Sequence, residues 1–570
     1  MQKDFSPNQG DAKIKASNAR AAFENSKNKS QVTSLLKDIL YTYLTKAAEL
    51  EHLLSMQYLF SAFSLKKYPE EFEDFDSKNP ENPTNELRIR QIEVIRKWDA
   101  KILYVSRQEM EHLNLVQNLI AILGYEPFMF RPNFPVPADK NPFGEPINLM
   151  PFSKKSIEIF RYWEKPDHLN LKNPFREGLP KAMLQMAGTN LKQDQFNLEN
   201  SVIKAWDELT DIIINEKKKV MDSTSIEELY AFINVYFYFL LTYKLVEGTN
   251  IDRIVEEHFG FNMELDPIVE GKYYAYVNQV ITQIIEEGEG VWGVPPPLDS
   301  HFMVYQKILE EMDEEINHGK GVFDPALPVV LNPTASTVTE HHNVPLPNSL
   351  NLNYEESAVF QVTNEVAIKG MELFNQAYNV LNQMLYGFFD TYSIDYTTGI
   401  RPPEPNAFFR TSFYPFMTNV IRPLGEMVSR LPALQEYVPI KGKVPDKTAG
   451  PNFFYEIDQN ASIDQKLNFF KSVHDLRTTS TEEIDPLMTY FIDQFEAMAV
   501  KATDLANYCK AKDYHMANYD AQDARDFDAR FNYLSENLKR IAVNFECYWK
   551  GKIIAPIPSK NFQNFSNPYN

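Results

Sequence analysis

The sequence predicts an all-α protein built around a four-helix bundle that carries metal-binding side chains in its apolar interior. In the segment 101–124, apolar residues recur at helical spacing, and Glu109 and His112 lie in the same stripe. In the segment 34–65, the same anomaly recurs, because Glu51 lies in the middle of an apolar stripe. An ionised carboxylate is costly to bury unless a cation or hydrogen bonds compensate it, which makes both positions candidates for metal binding.

The Glu-x-x-His spacing of Glu109 and His112 has two interpretations. In bundles that hold two metal ions, two helices each give a Glu and two others each give a Glu-x-x-His. The alternative is a buried Glu paired with an arginine, beside a histidine satisfied within the core. The apolar stripe that contains the pair consists of Ile102, Val105, Val116, Ile120 and Leu123.

Composition excludes several classes of protein. The chain has 570 residues and a formal net charge of −21, which argues against nucleic acid or an anionic membrane surface as a partner. Its two cysteines, Cys509 and Cys547, exclude a disulfide framework and a thiolate zinc site and suit the cytoplasm. The first 20 residues lack an apolar segment, so we expect no secretory signal. The most apolar run, 229–241, is too short to span a bilayer.

The N-terminal half begins with residues 1–31, which are polar and predict a mobile tail. A helix starts at Ser34, with His52 at the edge of its stripe. An acidic connection or lid follows at 67–86, and repeated prolines forbid continuous helix in 124–152. The stripe that holds Glu51 consists of Leu44, Ala47, Ala48, Leu54, Ser55 and Tyr58.

The segment IEIFRYWEKP predicts a short helix that ends at Pro166, and residues 167–200 are interpreted as an insertion. A third bundle helix starts at Ser225, with Glu228 three residues later. Glu228 lies in line with the apolar face and could be a ligand, but Ser225 and Glu228 also form a capping box. Both interpretations remain open.

The fourth element is interrupted. Ile281, Ile285 and Glu289 lie on one apolar line, whereas Glu286 follows a polar line. After the breaker GVPPP, a new helix starts near Ser300 and has His301 in its apolar stripe. A glutamate near the end of one helix and a histidine near the start of the next would therefore have to converge across the loop.

The rest of the chain predicts a linker and a second helical region. Residues 319–353 contain several prolines and the pair His341 and His342, which we interpret as solvated. We expect domain boundaries at 1–31, 32–318, 319–353 and 354–570. Helices are predicted in the last of these regions at 362–390, 414–431, 485–510 and 520–549.

Four motifs together resemble one family. They are AAELEH at 47–52, QEMEHLNLVQNLIAILGYEP at 108–127, QIIEEGEG at 283–290 and SHF at 300–302. They are similar to the ferritin-like domain of the iminophenyl-pyruvate dimer synthase family of the violacein and rebeccamycin pathways. FRYWEKP, SIEELY, LFNQAYNVLNQML, RPLGEMVSRLP and AGPNFF extend the likeness from about residue 35 to about 455.

The resemblance implies a ferritin-like four-helix bundle and a set of metal ligands. Gln108 and Glu287 depart from the family pattern, since Gln108 replaces an acid and Glu287 replaces a glutamine. Carboxylates and imidazoles suit iron or manganese, and two divalent cations would offset four glutamates. We therefore expect dinuclear, non-haem iron, with manganese as the other candidate. The implied ligands are Glu51, Glu109, His112, Glu289 and His301, with Glu228 as a further one.

The resulting hypothesis is an oxidase or oxygenase of secondary metabolism that uses O2 or peroxide on a small aromatic or amino-acid-derived compound. We expect no nucleic-acid or membrane partner, and a homodimer is compatible with the sequence. A non-catalytic ferritin-like scaffold with structural or no metal is the alternative, whereas an iron store would need a much smaller subunit. Arg422 is a tentative contact for a substrate carboxylate, although a salt bridge with Glu426 at i+4 is the competing interpretation.

Overall fold

A computed structural model describes much of the chain. The described residues are 29–79, 81–138, 141, 145–166, 226–242, 273–288, 296–318, 323–335, 359–391, 403–439, 443–457, 460–476, 485–516 and 526–551. Several predictions concern residues outside these ranges, namely the tail up to residue 28, the insertion 167–200, Glu289 and the pair His341 and His342. Within the described part the protein is all-α, as the sequence predicts, with two strands of two residues each.

Four helices form the bundle. They are α1 (Lys29–Phe63), α2 (Pro83–Ile122), α4 (Ile226–Thr242) and α5 (Tyr273–Gly288). Helix α1 packs along α2 and α4, while α5 packs against both α4 and α2, so the four helices close a ring. Their apolar stripes face one another and form a continuous hydrophobic core.

Two more helices pack together beside the bundle. These are α3 (Lys154–Trp163) and α6 (His301–His318), and α6 also contacts α2 and α5. Ser153 starts α3, since its Oγ accepts a hydrogen bond from the backbone N–H of Ser156. This arrangement brings the C-terminal end of α3 and the N-terminal end of α6 to the bundle.

The C-terminal region is also helical. A hairpin of two long helices packs against the preceding helices, which in turn contact the end of α1. The helices are α7 (Glu365–Thr391), α8 (Pro403–Thr411), α9 (Arg422–Val428), α10 (Ile463–His474), α11 (Pro486–Ala511) and α12 (Phe527–Trp549).

Several boundaries differ from the predictions. Helix α1 begins at Lys29 rather than Ser34, so the last residues of the predicted tail are helical. A π-helix, Ser412–Ile421, joins α8 to α9, and it contains Pro415, which has no N–H to donate. Part of the expected linker is packed, because strand β1 (Pro333–Thr334) pairs in parallel with β2 (Phe360–Gln361).

Ion pairs and a close approach join the bundle to the C-terminal region. Nε of Arg430 lies 2.6 Å from Oε1 of Glu71, and both side chains are buried. Gly425 of α9 lies against the ring of Phe63 at the end of α1, where a Cβ atom would come within 2.4 Å of the ring. A larger residue at this position would therefore force the two helices apart.

Arg131, in the proline-rich segment 124–152, also connects the two regions. Its fully buried guanidinium donates to the Tyr378 hydroxyl at 2.9 Å and to the carbonyl of Phe453. It also lies over the rings of Phe134, Tyr378 and Tyr455. No carboxylate in the described ranges pairs with Arg131. Polar oxygens and aromatic faces therefore stabilise its buried positive charge in place of water.

Candidate metal centre

Two groups of three buried side chains meet inside the bundle. The first group consists of Glu51 of α1 with Glu109 and His112 of α2, and the second group consists of Glu109 with Glu164 and His301. Glu164 caps the C-terminal end of α3, and His301 is the first residue of α6. Within each group the potential ligand atoms all lie within 4.8 Å of one another.

Glu109 is shared between the two groups. Its Oε2 lies 3.1 Å from Nδ1 of His112, and its Oε1 lies 3.0 Å from Nδ1 of His301. The other two carboxylates complete the set, since Oε2 of Glu51 lies 3.5 Å from Nδ1 of His112 and Oε2 of Glu164 lies 3.4 Å from Nδ1 of His301. Each side of the Glu109 carboxylate therefore faces one imidazole and one further glutamate.

Small side chains hold α1 and α2 together beside this centre. The hydroxyl of Ser55 donates to the carbonyl of Ser106 at 2.9 Å, and the hydroxyl of Ser106 donates to the carbonyl of Ser55 at 3.0 Å. Ser55 lies one turn after Glu51, and Ser106 lies one turn before Glu109. The two serines thus bring the two carboxylates to the same level of the bundle.

Basic side chains do not compensate these carboxylates. Glu51, Glu109 and Glu164 are each at most 2% exposed. In the described ranges, no lysine or arginine lies within salt-bridge distance of any of them; histidines are their only ion-pair partners. The alternative of a buried glutamate paired with an arginine therefore fails for the described residues.

The acid and base pKa values in the centre depend strongly on one another. Burial raises the pKa of Glu51 to about 7, although the hydrogen bond with His112 opposes this change. Burial acts to lower the pKa of His301, but the charges of Glu109 and Glu164 outweigh burial and raise it to about 9. In the absence of a metal ion, protons on the imidazoles would thus supply the positive charge.

Two atoms in the second group fit a cation better than a proton. Oε1 of Glu109 and Nδ1 of His301 are 3.0 Å apart, yet neither makes a hydrogen bond of acceptable angle to any described residue. Buried polar atoms are rarely left without a partner. A metal ion accepts electron pairs from both atoms and does not need the linear geometry of a hydrogen bond, so the residues present fit a bound cation.

Comparison with known families agrees with this geometry. Residues 44–310 match the model of the ferritin-like family. This stretch is a ferritin-like domain. The match includes every residue of both groups. Among curated proteins and among solved structures, the comparisons found no match to the chain.

A fourth carboxylate of the ferritin-like domain orients His112. Nε2 of His112 lies 3.1 Å from Oε2 of Glu287 on α5, and Nε2 of Gln283 donates to Oε1 of Glu287 at 2.9 Å. Burial acts to raise the pKa of Glu287, but the hydrogen bond with His112 outweighs it and lowers the pKa to about 2. The Glu287 carboxylate therefore remains charged and directs Nδ1 of His112 toward the centre.

Buried tyrosines contact Glu51 and Glu164, the outer glutamates of the two groups. The Tyr230 hydroxyl on α4 donates to Oε1 of Glu51 at 2.5 Å, and the Tyr58 hydroxyl on α1 donates to Oε1 of Glu164. Burial raises the pKa of both phenols well above the usual value, so both remain donors. The ring of Tyr305 packs on Tyr58 at a centroid distance of 5.2 Å.

The structure brings together four of the six residues that the sequence predicts as ligands, namely Glu51, Glu109, His112 and His301. Glu289 lies outside the described residues, as does the side chain of Glu228, whose backbone belongs to α4. Ser225 also lies outside them, so the capping-box interpretation of Glu228 stays a prediction.

Sequence reasoning missed Glu164 and Glu287 as members of the centre. Both carried a weak signal. Glu164 follows the buried residues Ile157 and Phe160 at helical spacing, and Glu287 follows the buried residue Ile284 in the same way. Glu287 is therefore a residue that holds His112 in place.

Arg422 lies outside the centre, in an ion-pair group. Its Nε lies 3.0 Å from Oε1 of Glu426, as the i+4 interpretation predicts, and its Nη2 lies 3.2 Å from Oδ2 of Asp99 on α2. Lys67 shares this group, with its Nζ 2.5 Å from Oδ1 of Asp99. The described contacts of Arg422 therefore support the structural interpretation.

A membrane-spanning role finds no support in the described helices. None of them combines the length and the apolar character that crossing a bilayer requires.

Proposed function

We propose that the ferritin-like domain binds two iron ions, or one iron and one manganese ion, and that the protein is a non-haem oxidase or oxygenase that uses O2 or peroxide. The observation that carries this proposal is the position of Glu109, whose two oxygens face two separate imidazoles. Glu109 would therefore help to hold both ions, one in each group. A single ion would leave one of the two groups without a cation.

The donor set supports the choice of metal. Glu51, Glu109 and Glu164 supply hard oxygen donors, and His112 and His301 supply nitrogen donors. This mixture suits iron and manganese better than copper. A structural zinc site would instead use four protein ligands and leave no position open. Two divalent cations would also offset the three buried carboxylates more completely than one.

When bound, the metal pair would supply the redox chemistry that protein side chains lack, by transferring electrons from an organic substrate to O2 or peroxide. In the overall balance of an oxidase, the substrate loses two hydrogen atoms and O2 becomes hydrogen peroxide, or peroxide becomes two water molecules. In an oxygenase, one oxygen atom of O2 enters the substrate, and the other becomes water with two protons and with two electrons from an external reductant such as a reduced flavin.

The residues of the chain perform the other tasks of the site. Glu287 holds His112 in one orientation, and Tyr58 and Tyr230 hold the outer glutamates. The surrounding helices exclude water, since His112 and His301 are almost completely buried. Ligands held in fixed positions and the exclusion of water both favour oxidation of the intended substrate over side reactions.

The substrate class rests on the resemblance to the iminophenyl-pyruvate dimer synthases. That family supports a small aromatic or amino-acid-derived compound, and thus a role in secondary metabolism. The motifs that carry the resemblance contain Glu51, Glu109, His112 and His301, which are the same residues that meet in the structure.

The direct test is reconstitution with iron under anaerobic conditions, followed by metal analysis and measurement of O2 uptake with aromatic amino acids or the imines derived from them. We expect two metal ions per chain and O2 uptake that depends on substrate. Glu109→Ala should abolish both, whereas Glu286→Ala, which changes an exposed carboxylate of α5, should retain both. Fewer than one ion per chain, with no O2 uptake, would reject the proposal and favour a non-catalytic scaffold.

A further inference from the structure

We propose that Tyr58 and Tyr230 are positioning residues that restrict each outer glutamate to a single oxygen for its metal ion and so keep one side of each ion open. This inference rests on the proposed function, because it presupposes a metal ion in each group. It concerns the coordination of the ions rather than the identity of the substrate.

The first observation is the contact between Tyr230 and Glu51. The hydroxyl donates to Oε1, while Oε2 of the same carboxylate is the oxygen that lies 3.5 Å from Nδ1 of His112. Both side chains are buried, and α1 and α4 pack against each other. One oxygen of Glu51 is therefore already engaged, and the other faces the ligand atoms of the first group.

The same arrangement recurs in the second group on different helices. The hydroxyl of Tyr58 donates to Oε1 of Glu164, while Oε2 of Glu164 lies 3.4 Å from Nδ1 of His301. Aromatic packing holds Tyr58, since the centroid of its ring lies 4.8 Å from that of Phe160 and 5.2 Å from that of Tyr305. This packing favours the ring position in which the hydroxyl contacts Glu164.

The consequence for coordination follows from the donor count. A carboxylate that binds through both oxygens fills two positions on a metal ion, whereas one whose second oxygen accepts a hydrogen bond fills one. The first ion would thus receive Oε2 of Glu109, Oε2 of Glu51 and Nδ1 of His112 from the described residues. These three atoms from the described residues would fill three positions on an iron or manganese ion, and the hydrogen bond from Tyr230 would keep the second oxygen of Glu51 from filling one more.

The two groups can be tested separately by removing one oxygen atom at a time. Tyr230→Phe should affect the first group, and Tyr58→Phe should affect the second. Tyr41→Phe is a matched control, because Tyr41 is a buried tyrosine of α1 whose hydroxyl makes no hydrogen bond to the described residues. Cobalt(II) is the probe, since its visible absorption weakens as its coordination number rises.

We expect each of the two variants to bind one of its two cobalt ions about 10-fold more weakly, as is usual when a group that orients a ligand is removed. The visible absorption of that ion should weaken as the freed glutamate oxygen binds it. Tyr41→Phe should match the wild type in both measurements. Wild-type cobalt affinity together with a wild-type spectrum in both Tyr58→Phe and Tyr230→Phe would overturn the inference.

A second measurement needs no variant and therefore does not depend on whether the variants fold. In the infrared difference spectrum of the wild type with and without cobalt, the separation of the two carboxylate stretches distinguishes one-oxygen from two-oxygen binding. Two-oxygen binding by the outer glutamates in the wild type would also overturn the inference. A wild-type protein that binds no cobalt would instead contradict the proposed function, so the two failures are distinguishable.

Discussion

Nε2 of His112 lies 3.1 Å from Oε2 of Glu287, across the interface between α2 and α5. The contact fixes the ring, because it engages the nitrogen that faces away from the centre and leaves Nδ1 toward Glu109 and Glu51. The orientation of His112 is thus supplied in part by α5, a helix that gives the first group no ligand among the described residues. Such outer partners usually contribute strongly to metal affinity.

The first prediction concerns this contact. Glu287→Ala should weaken binding of one of the two metal ions by about 10- to 100-fold, because His112 loses the group that orients it. Titration with iron(II) or cobalt(II) measures the change. Glu286→Ala is the control, since it removes the adjacent, exposed carboxylate of the same helix. Equal affinities in the two variants would show that Glu287 does not orient the ligand.

The second prediction separates the two groups. Glu51→Ala should lose one metal ion and keep the other, and Glu164→Ala should do the same for the opposite group, because each glutamate belongs to only one of them. Glu109→Ala should lose both ions. Metal analysis of each reconstituted variant gives the stoichiometry. If Glu164→Ala retained both ions, the second group would not be a binding site.

The third prediction concerns pH. Because the pKa of His301 is raised to about 9 in the metal-free protein, its imidazole is protonated at pH 7 and must lose that proton when a metal ion binds. Metal affinity should therefore rise as the pH increases from 6 toward 9, by about tenfold per pH unit for each proton released. Calorimetry in buffers of different ionisation enthalpy counts the protons. A pH-independent affinity over this range would contradict the prediction.

The fourth prediction concerns Arg131. Its replacement by leucine should destabilise the metal-free protein by about 2–4 kcal/mol, because the carbonyl of Phe453 and the hydroxyl of Tyr378 lose a buried donor. Unfolding by urea measures the change in free energy. Arg540→Leu, at an exposed position of α12, should change it by less than about 0.5 kcal/mol. Similar decreases in the free energy of unfolding in both variants would show that the buried contacts of Arg131 do not stabilise the protein.

The fifth prediction concerns Arg422. Its side chain is 43% exposed, so loss of its ion pairs with Asp99 and Glu426 in Arg422→Ala should cost about 1 kcal/mol or less. The KM for substrate should not change, because the described contacts of Arg422 are structural. Steady-state kinetics and urea unfolding measure the two effects. A large rise in KM with unchanged stability would restore the hypothesis that Arg422 binds a substrate carboxylate.

The sequence by itself determined the fold class and the core of the candidate centre. Glu51, Glu109, His112 and His301 each lie in an apolar helical stripe, and a charged or polar group in such a stripe is visible without coordinates. These four residues lie close together in the structure because the helical period fixes the side of a helix on which a residue lies.

Only the tertiary structure showed that Glu164 and Glu287 belong to the candidate metal centre. Glu164 lies at the end of a helix of ten residues, and Glu287 is half-buried near the end of α5, so neither interrupts a long apolar stripe. Their roles depend on which helix ends meet, and periodicity within one helix contains no information on packing between helices. The same reason applies to Tyr58 and Tyr230. From sequence, a buried tyrosine cannot be distinguished from any other aromatic core residue until the position of its hydroxyl is known.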